Sequence, residues 1–319
     1  MSTSMIAEDP SALEHQQQHL NEQVYLIGRP PISEYTNFLL AQSPDGQIYD
    51  QSELAEEWRL ANDHIRDLEA LEAGYADYPV IGSLAHTLES LREQILADPM
   101  FHRSFGMLPT EIAMVELDRL VVVQKQIGLG SVAEFRQQLG TEPDDEAIFR
   151  LCIPPDHPHP QARSLRINNN SYVFVSPSLD FRFVEPVLLE PDQISGYYPV
   201  GPISSIVGLV IGYGCNFFNV LHVENRLILN NGNHRAFALR EMGFTHAPCV
   251  LQHVSRREEL PLAAHPELIK NPDLYLTAAR PALFKDYFDL KLRKILPARR
   301  RLRQIKITFG VEVIDTPDT

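Results

Sequence analysis

The sequence predicts an α+β protein: a small mixed-sheet core, a helical subdomain added before it and a basic extension after it. Three observations carry that prediction. Between residues 217 and 254, two strand-like runs, a glycine turn, a short helical run and a third strand-like run follow one another. Between residues 52 and 96, apolar residues recur at three- and four-residue steps, the spacing of one helix face. Between residues 285 and 306, nine basic residues stand against two acidic ones on a chain of net charge −14. The expected segments are an N-terminal extension (1–50), a helical subdomain (51–109), an α/β core (110–255) and a C-terminal extension (256–319).

Composition bounds the class. A chain of 319 residues, 44% of them hydrophobic, buries a substantial core in one or two domains. Its 24 prolines are clustered, which predicts long ordered loops. The acidic balance argues against nucleic-acid binding over the whole surface. Cys152, Cys215 and Cys249 have no paired spacing, so a reduced cytoplasmic protein is expected. Met1 to Gln18 carries no basic, apolar leader. No run of about 18 apolar residues exists to span a bilayer, so a soluble protein with no membrane partner is expected.

Taken in order, residues 1 to about 21 are polar and Gln-rich, a frayed tail or a solvated helix. His15 and His19 lack the carboxylate or Cys partners of a metal site. Val24 to Ile27 is short and apolar, and Arg29-Pro30-Pro31 breaks it. Ser33 resembles an N-cap for a helix from Glu34 to about Leu40. Ser43-Pro44-Asp45-Gly46 is a turn signal. From Ser52, a helix carries Leu54, Trp58, Ala61, Ile65 and Leu68 on one face and closes at Gly74. Trp58 reads either as core or as an interface anchor. A second helix is expected over Ile81 to Leu96, and the two stripes predict a helical hairpin.

Met114 to Val123 is the next expected strand, with Glu116 at its start and Gln124 and Gln126 at its far end. Ser131 is the expected cap of a helix through Leu139, closed by Gly140. Asp156-His157-Pro158-His159 is half of a metal site or, more simply, a rigid proline loop, and no metal is expected. Tyr172 to Val175 and Phe181 to Leu189 are rich in aromatic and β-branched residues and read as strands. Irregular loops are expected around the apolar run Ile206 to Ile211. Gly212-Tyr213-Gly214 suits a ligand approach or a packing bulge equally.

Phe217 to Val223 and Arg226 to Leu229 predict a hairpin around Glu224-Asn225, with Asn able to take positive φ. Gly232 suits a sharp turn, Asn233 an N-cap, His234 to Met242 a short helix and Gly243 its left-handed C-cap. The bland reading is a turn plus a cap. The sharper one is an anion site, because free amides and the helix dipole favour negative charge and Arg235 can grip a phosphate.

The order of hairpin, Gly232-Asn233-His234-Arg235, short helix, Gly243 and the strand Ala247 to Val254 resembles the core of the ParB/sulfiredoxin superfamily. More faintly, the likeness extends back to the strand, Gln-containing loop and helix from residue 114. It implies a nucleotide-binding core over 110–255, with Gly232, Asn233, His234 and Arg235 receiving phosphates. In sulfiredoxins a cysteine performing the sulfur chemistry stands at the position of Asn233, and in partition proteins commonly a glutamate assisting CTP hydrolysis. Asparagine does neither. The free-serine-kinase branch has a histidine before the arginine, as here. The resemblance therefore implies an ATP- or ADP-dependent phosphotransferase or a nucleoside triphosphatase, using ATP, ADP or CTP with Mg²⁺. Glu116 is the candidate base and His234 the second catalytic candidate.

A different class stays open: a non-catalytic interaction or scaffold protein that keeps the fold, with a protein partner or self-association. The helical addition, the basic extension and the missing acidic motif residue point that way. A DNA-partition role with CTP ranks third, because the charge is wrong and no DNA-reading module follows. Helical structure is expected from about Pro281 to Ile295 and a strand from Ile305 to Ile314. The basic run 285–306 suits nucleic acid, an acidic partner or the protein's own acidic helical half.

Overall fold

Residues 22–42, 49–156, 159–178, 180–198, 200–297 and 302–316 are described in a computed structural model. The expected tail with His15 and His19, the turn Ser43 to Gly46, His157 and Arg299 to Arg301 lie outside the described residues. The described residues form two units, one within 1–155 and 217–300, the other within 156–216 and 301–319. The helical segment 51–109 thus belongs with the core sheet, while residues 156–216 leave the core for a unit of their own.

The first unit opens with β1 (Glu22–Leu26), α1 (Ile32–Gln42), α2 (Gln51–Leu71), β2 (Ile81–Gly82), α3 (Glu89–Ala97) and α4 (Pro99–Phe105). It continues with β3 (Thr110–Glu116), β4 (Val121–Val122), β5 (Gln126–Gly128), α5 (Leu129–Leu139) and α6 (Asp145–Cys152). The second unit contributes β6 (Arg163–Asn168), β7 (Ser171–Ser176), β8 (Phe181–Leu189) and β9 (Ile206–Tyr213). The chain then returns to the first unit as β10 (Asn219–Val223), β11 (Arg226–Asn231), α7 (Asn233–Glu241), β12 (His246–Val254), α8 (Pro266–Lys270), α9 (Asp273–Leu276) and β13 (Arg293–Pro297). It ends in the second with β14 (Arg303–Thr308). The protein is α+β, with mixed and antiparallel sheets.

The first unit centres on a six-stranded sheet ordered β2-β3-β12-β10-β11-β4. β10 is parallel to β12 and β11 to β4, and the other pairs are antiparallel. The central strands are near-continuous apolar runs with Val220, Leu221, Ile228, Val250 and Leu251 fully buried, the pattern of a sheet covered on both faces. α7 is buried almost all round, which is why its sequence carries no clean apolar stripe. A second, antiparallel sheet, β13-β1-β5, brings together stretches from both ends of the unit.

Several expectations need correction. The run Met114 to Val123 is two strands, because Leu117–Arg119 turns as a 3-10 helix in which Leu117 N–H donates to Thr245 and Arg119 donates to the carbonyls of Tyr75 and Asp77. Residues Ile81 and Gly82 pair with Val115 and Met114, so the second helix starts only at Glu89. The helical hairpin gives way to a different packing: Leu54, Ala61 and Ile65 of α2 meet Tyr25, Tyr35, Leu39 and Leu292. Residues 281–295 are a 3-10 turn, Phe284–Phe288, followed by β13 on β1, because β1 offers a strand partner that a helix would leave open. The final strand likewise spans Arg303–Thr308 and stops before Ile314.

Part of the basic run meets the acidic helix. Lys285 pairs with Glu72 at 2.8 Å and Lys294 with Glu57 at 2.5 Å. Beside them, the fully buried Arg280 donates to both oxygens of Asp286 at 2.5 Å and lies 3.1 Å from Glu72. Asp286 also accepts from Leu283 N–H at 3.0 Å. Replacing Arg280 by Ala leaves the buried Asp286 carboxylate without its counter-charge, while Glu72 keeps Lys285. Chemical denaturation is expected to show a loss of about 3–5 kcal/mol, the range for breaking a buried ion pair by removing one partner.

Candidate functional site

The turn before α7 is built by local sterics. Glu224 and Asn225 both take left-handed conformations, with φ of 45° and 65°, and close the β10–β11 hairpin in two residues. Asn230 at the far end of β11 donates to Asn219 and to the carbonyl of Ala263, and accepts from His265 N–H. Gly232 then takes φ of 101°, and a Cβ there would stand 3.0 Å from the Phe218 ring. Only glycine fits, by conformation and by space.

The N-cap of α7 is Gly232, not Asn233, and no side chain caps the helix. Asn233 is the first helical residue and is buried. Its Nδ2 donates to Gln124 Oε1 at 3.2 Å, while its Oδ1 is buried without a hydrogen-bond partner. His234 Nε2 accepts from Gly128 N–H at 3.1 Å, which requires the neutral ring protonated on Nδ1. Burial first, then the charge of Arg235, hold its pKa down to about 4. Arg235 is buried with its guanidinium carbon 5.2 Å over the Phe135 ring of α5. Its charge also reaches the buried Cys152, whose thiol is nonetheless pushed up to about 12 by desolvation.

The four residues of the turn are therefore together, as their adjacency demands, and Gln124 and Gly128 join them from β5 and the loop before it. Gln124 also donates to the carbonyl of Gln126, and its own carbonyl accepts from the Tyr287 hydroxyl. Glu116 does not join them. It pairs in register with His246, its neighbour Leu117 meets Thr245, and Asp118 takes Arg240 through two bonds of 2.9 and 3.0 Å. That is the carboxyl end of α7, roughly 10 Å along the helix axis from Asn233. The break of the predicted strand at Leu117 puts Glu116 there.

A cleft of about 710 Å³ is lined by Val122 to Lys125 of the same loop. Arg29, Glu34, Glu69, Lys125 and Lys270 line it together with Gln124, and none of Gly232 to Arg235 does. Its charges are largely matched: Lys125 meets Glu34 at 2.7 Å and Arg29 lies 3.7 Å from Glu69. One polar cluster escaped the sequence reading. His222 Nδ1 is 3.2 Å from His253 Nδ1, and His253 Nε2 is 2.9 Å from Glu111. Burial and then the neighbouring His253 lower the pKa of His222. The parallel register His222 to His253 creates this pair, and residues 31 apart carry no local sign of it.

Among the described residues, no group of three or more His, Cys, Asp or Glu side chains is placed to hold a metal ion. His159 instead lies with its ring 4.6 Å from that of Tyr213. No described helix is long and apolar enough to cross a membrane. Comparison with protein-family models, curated proteins and solved structures finds no match for the chain.

The tautomer of His234 gives a pH test. Its folded-state pKa lies below the unfolded value near 6.5, so the unfolded chain binds the proton more readily. The stabilisation is complete above about pH 6.5 and is lost as pH falls toward 4, by roughly 3 kcal/mol over that window. His234→Gln keeps an acceptor for Gly128 N–H and cannot titrate. Its melting temperature is expected to fall less steeply than that of the wild type over the window, the His222 contribution being common to both.

Proposed function

We propose that the chain is a non-catalytic interaction protein that keeps a ParB/sulfiredoxin-like core as a scaffold. One observation carries this reading: the Asn233 amide nitrogen, the His234 ring and the Arg235 guanidinium are engaged within the protein. Asn233 holds Gln124, His234 holds the Gly128 amide, and Arg235 is buried over Phe135. A phosphate seated there has to displace these contacts, and a buried group deprived of its partner costs roughly 1–3 kcal/mol. The position of Glu116 at the other end of α7 supports the same reading, since phosphoryl transfer needs a base beside the acceptor. The ion pairs from Lys285 and Lys294 to α2 support an internal use for part of the basic run.

A second reading, nucleotide binding, draws support from the Asn233 side-chain oxygen. Asn233 Oδ1 is buried beside the α7 N-terminus without a donor, a position that a ligand hydroxyl or amine would complete. ATP, ADP or CTP with Mg²⁺ are the ligands of that reading.

Thermal melting of the full chain with ATP, ADP, CTP and GTP, each at millimolar concentration with Mg²⁺, separates the two. The scaffold reading expects no shift with any of them. A rise in melting temperature with one nucleotide, abolished in Arg235→Ala, would overturn it, because a ligand selective for the folded state must stabilise it.

A further inference from the structure

Among the described residues, the strands β8 and β9 pair only with each other, as a two-stranded antiparallel sheet, an arrangement that is marginal in water unless something covers it. Their register sorts the side chains by face. Phe183 stands opposite Ile211, Pro186 opposite Leu209 and Leu188 opposite Val207. All six lie on one face and all are apolar. At its base the face is anchored by Phe181 opposite Tyr213, with rings 5.1 Å apart and the tyrosine hydroxyl 3.1 Å from Ser176. Beyond that base it is open: Phe183 is 43% exposed, Leu188 70%, Val207 69% and Leu209 38%. The other face carries Arg182, Glu185 and the exposed Val210, with Val187 and Leu189 half-buried beside Gly208.

We infer that this face is a self-association surface, occupied by the same face of a second copy of the chain. Three features select that occupant. The face holds no charge, so it offers nothing to recognise a charged partner, and two such faces are complementary in kind. A large apolar side chain presents roughly 200 Å² when fully exposed, so the four open residues leave roughly 450 Å² per copy. A two-fold pair then buries about 1,000 Å² once Pro186 and the ribbon backbone are included, the lower bound for a specific interface. Finally, β8 is built against edge-to-edge pairing. Pro186 removes a donor and the register shift between Phe183 and Glu185 bends the strand, which disfavours adding a strand at the β8 edge and favours face-to-face stacking at sheet-packing distance.

This inference deepens the interaction reading by naming the partner, and the two fail separately. Sedimentation velocity of the full chain, from micromolar to hundreds of micromolar, is expected to show a monomer converting to a dimer. Leu188→Asp with Val207→Asp is expected to raise the dimer dissociation constant by about tenfold or more, because two charges per copy lose water in the interface. Both side chains are exposed, so the melting temperature of the monomer is expected to stay unchanged. Leu71→Asp, at an equally exposed apolar residue of the first unit, is expected to leave the association intact. A chain that stays monomeric throughout, or a dimer that survives the double substitution, overturns the inference. A monomer with no nucleotide shift removes the second copy but leaves the scaffold reading, whereas a nucleotide shift removes the scaffold reading and leaves the dimer.

Discussion

A charge taken out of water has to be met on every side, and Arg280 is the place where this chain meets that demand. Its guanidinium draws Asp286 from the following turn and Glu72 from the end of α2, residues 208 positions away. Arg29 joins by donating to the Arg280 carbonyl, and burial followed by the charge of Arg280 lowers its own pKa. Glu69 and Asp286 offset that repulsion. Three stretches far apart in sequence are thereby held to one another: the Gly28 loop, the end of α2 and the segment leading into β13.

The same anchor reaches the turn at α7 in a few steps. With Asp286 fixed, Tyr287 beside it places its hydroxyl on the Gln124 carbonyl, and the Gln124 side chain receives Asn233. Gly128, two residues beyond Gln126, donates its amide to His234, which burial and the charge of Arg235 keep neutral. A helix N-terminus attracts an anion when its donors have nowhere else to turn. Here the Asn233 amide nitrogen and the His234 ring have found partners inside the fold, and the arginine that would grip a phosphate lies buried against an aromatic ring. The proposed scaffold role follows from those internal contacts rather than from the lack of any residue type.

What could be read from the residues alone had local causes. Asn225, Gly232 and Gly243 occupy the positive-φ positions that their types predict, because backbone sterics act within a few residues, and Glu224 takes one beside Asn225 because the hairpin closes in two residues. Leu54, Ala61 and Ile65 form the buried stripe that their spacing predicts, since helix geometry alone puts them on one face. The closing of α5 by Gly140 has the same origin. The start of that helix does not: it begins at Leu129 from an uncapped Gly128, ahead of the expected Ser131. Gln124 and Gln126 were visible as a polar loop, but nothing in their neighbourhood says that Gln124 faces Asn233 across 109 residues.

By itself the sequence determined which segments bury apolar surface, where the chain reverses with left-handed turns, and that Gly232 to Arg235 begins a helix. Tertiary structure decided everything that depends on a distant partner. It broke the run at Leu117, so that Glu116 went to the far end of α7. It gave the stripe of α2 to β1 and α1 instead of to the helix expected over 81–96, and turned residues 293–297 into a strand. The physical reason is the same in each case. Torsional preferences and periodicity act over a few residues, whereas the choice of partner for a buried donor, an open strand edge or an apolar face is settled by groups the chain brings from elsewhere.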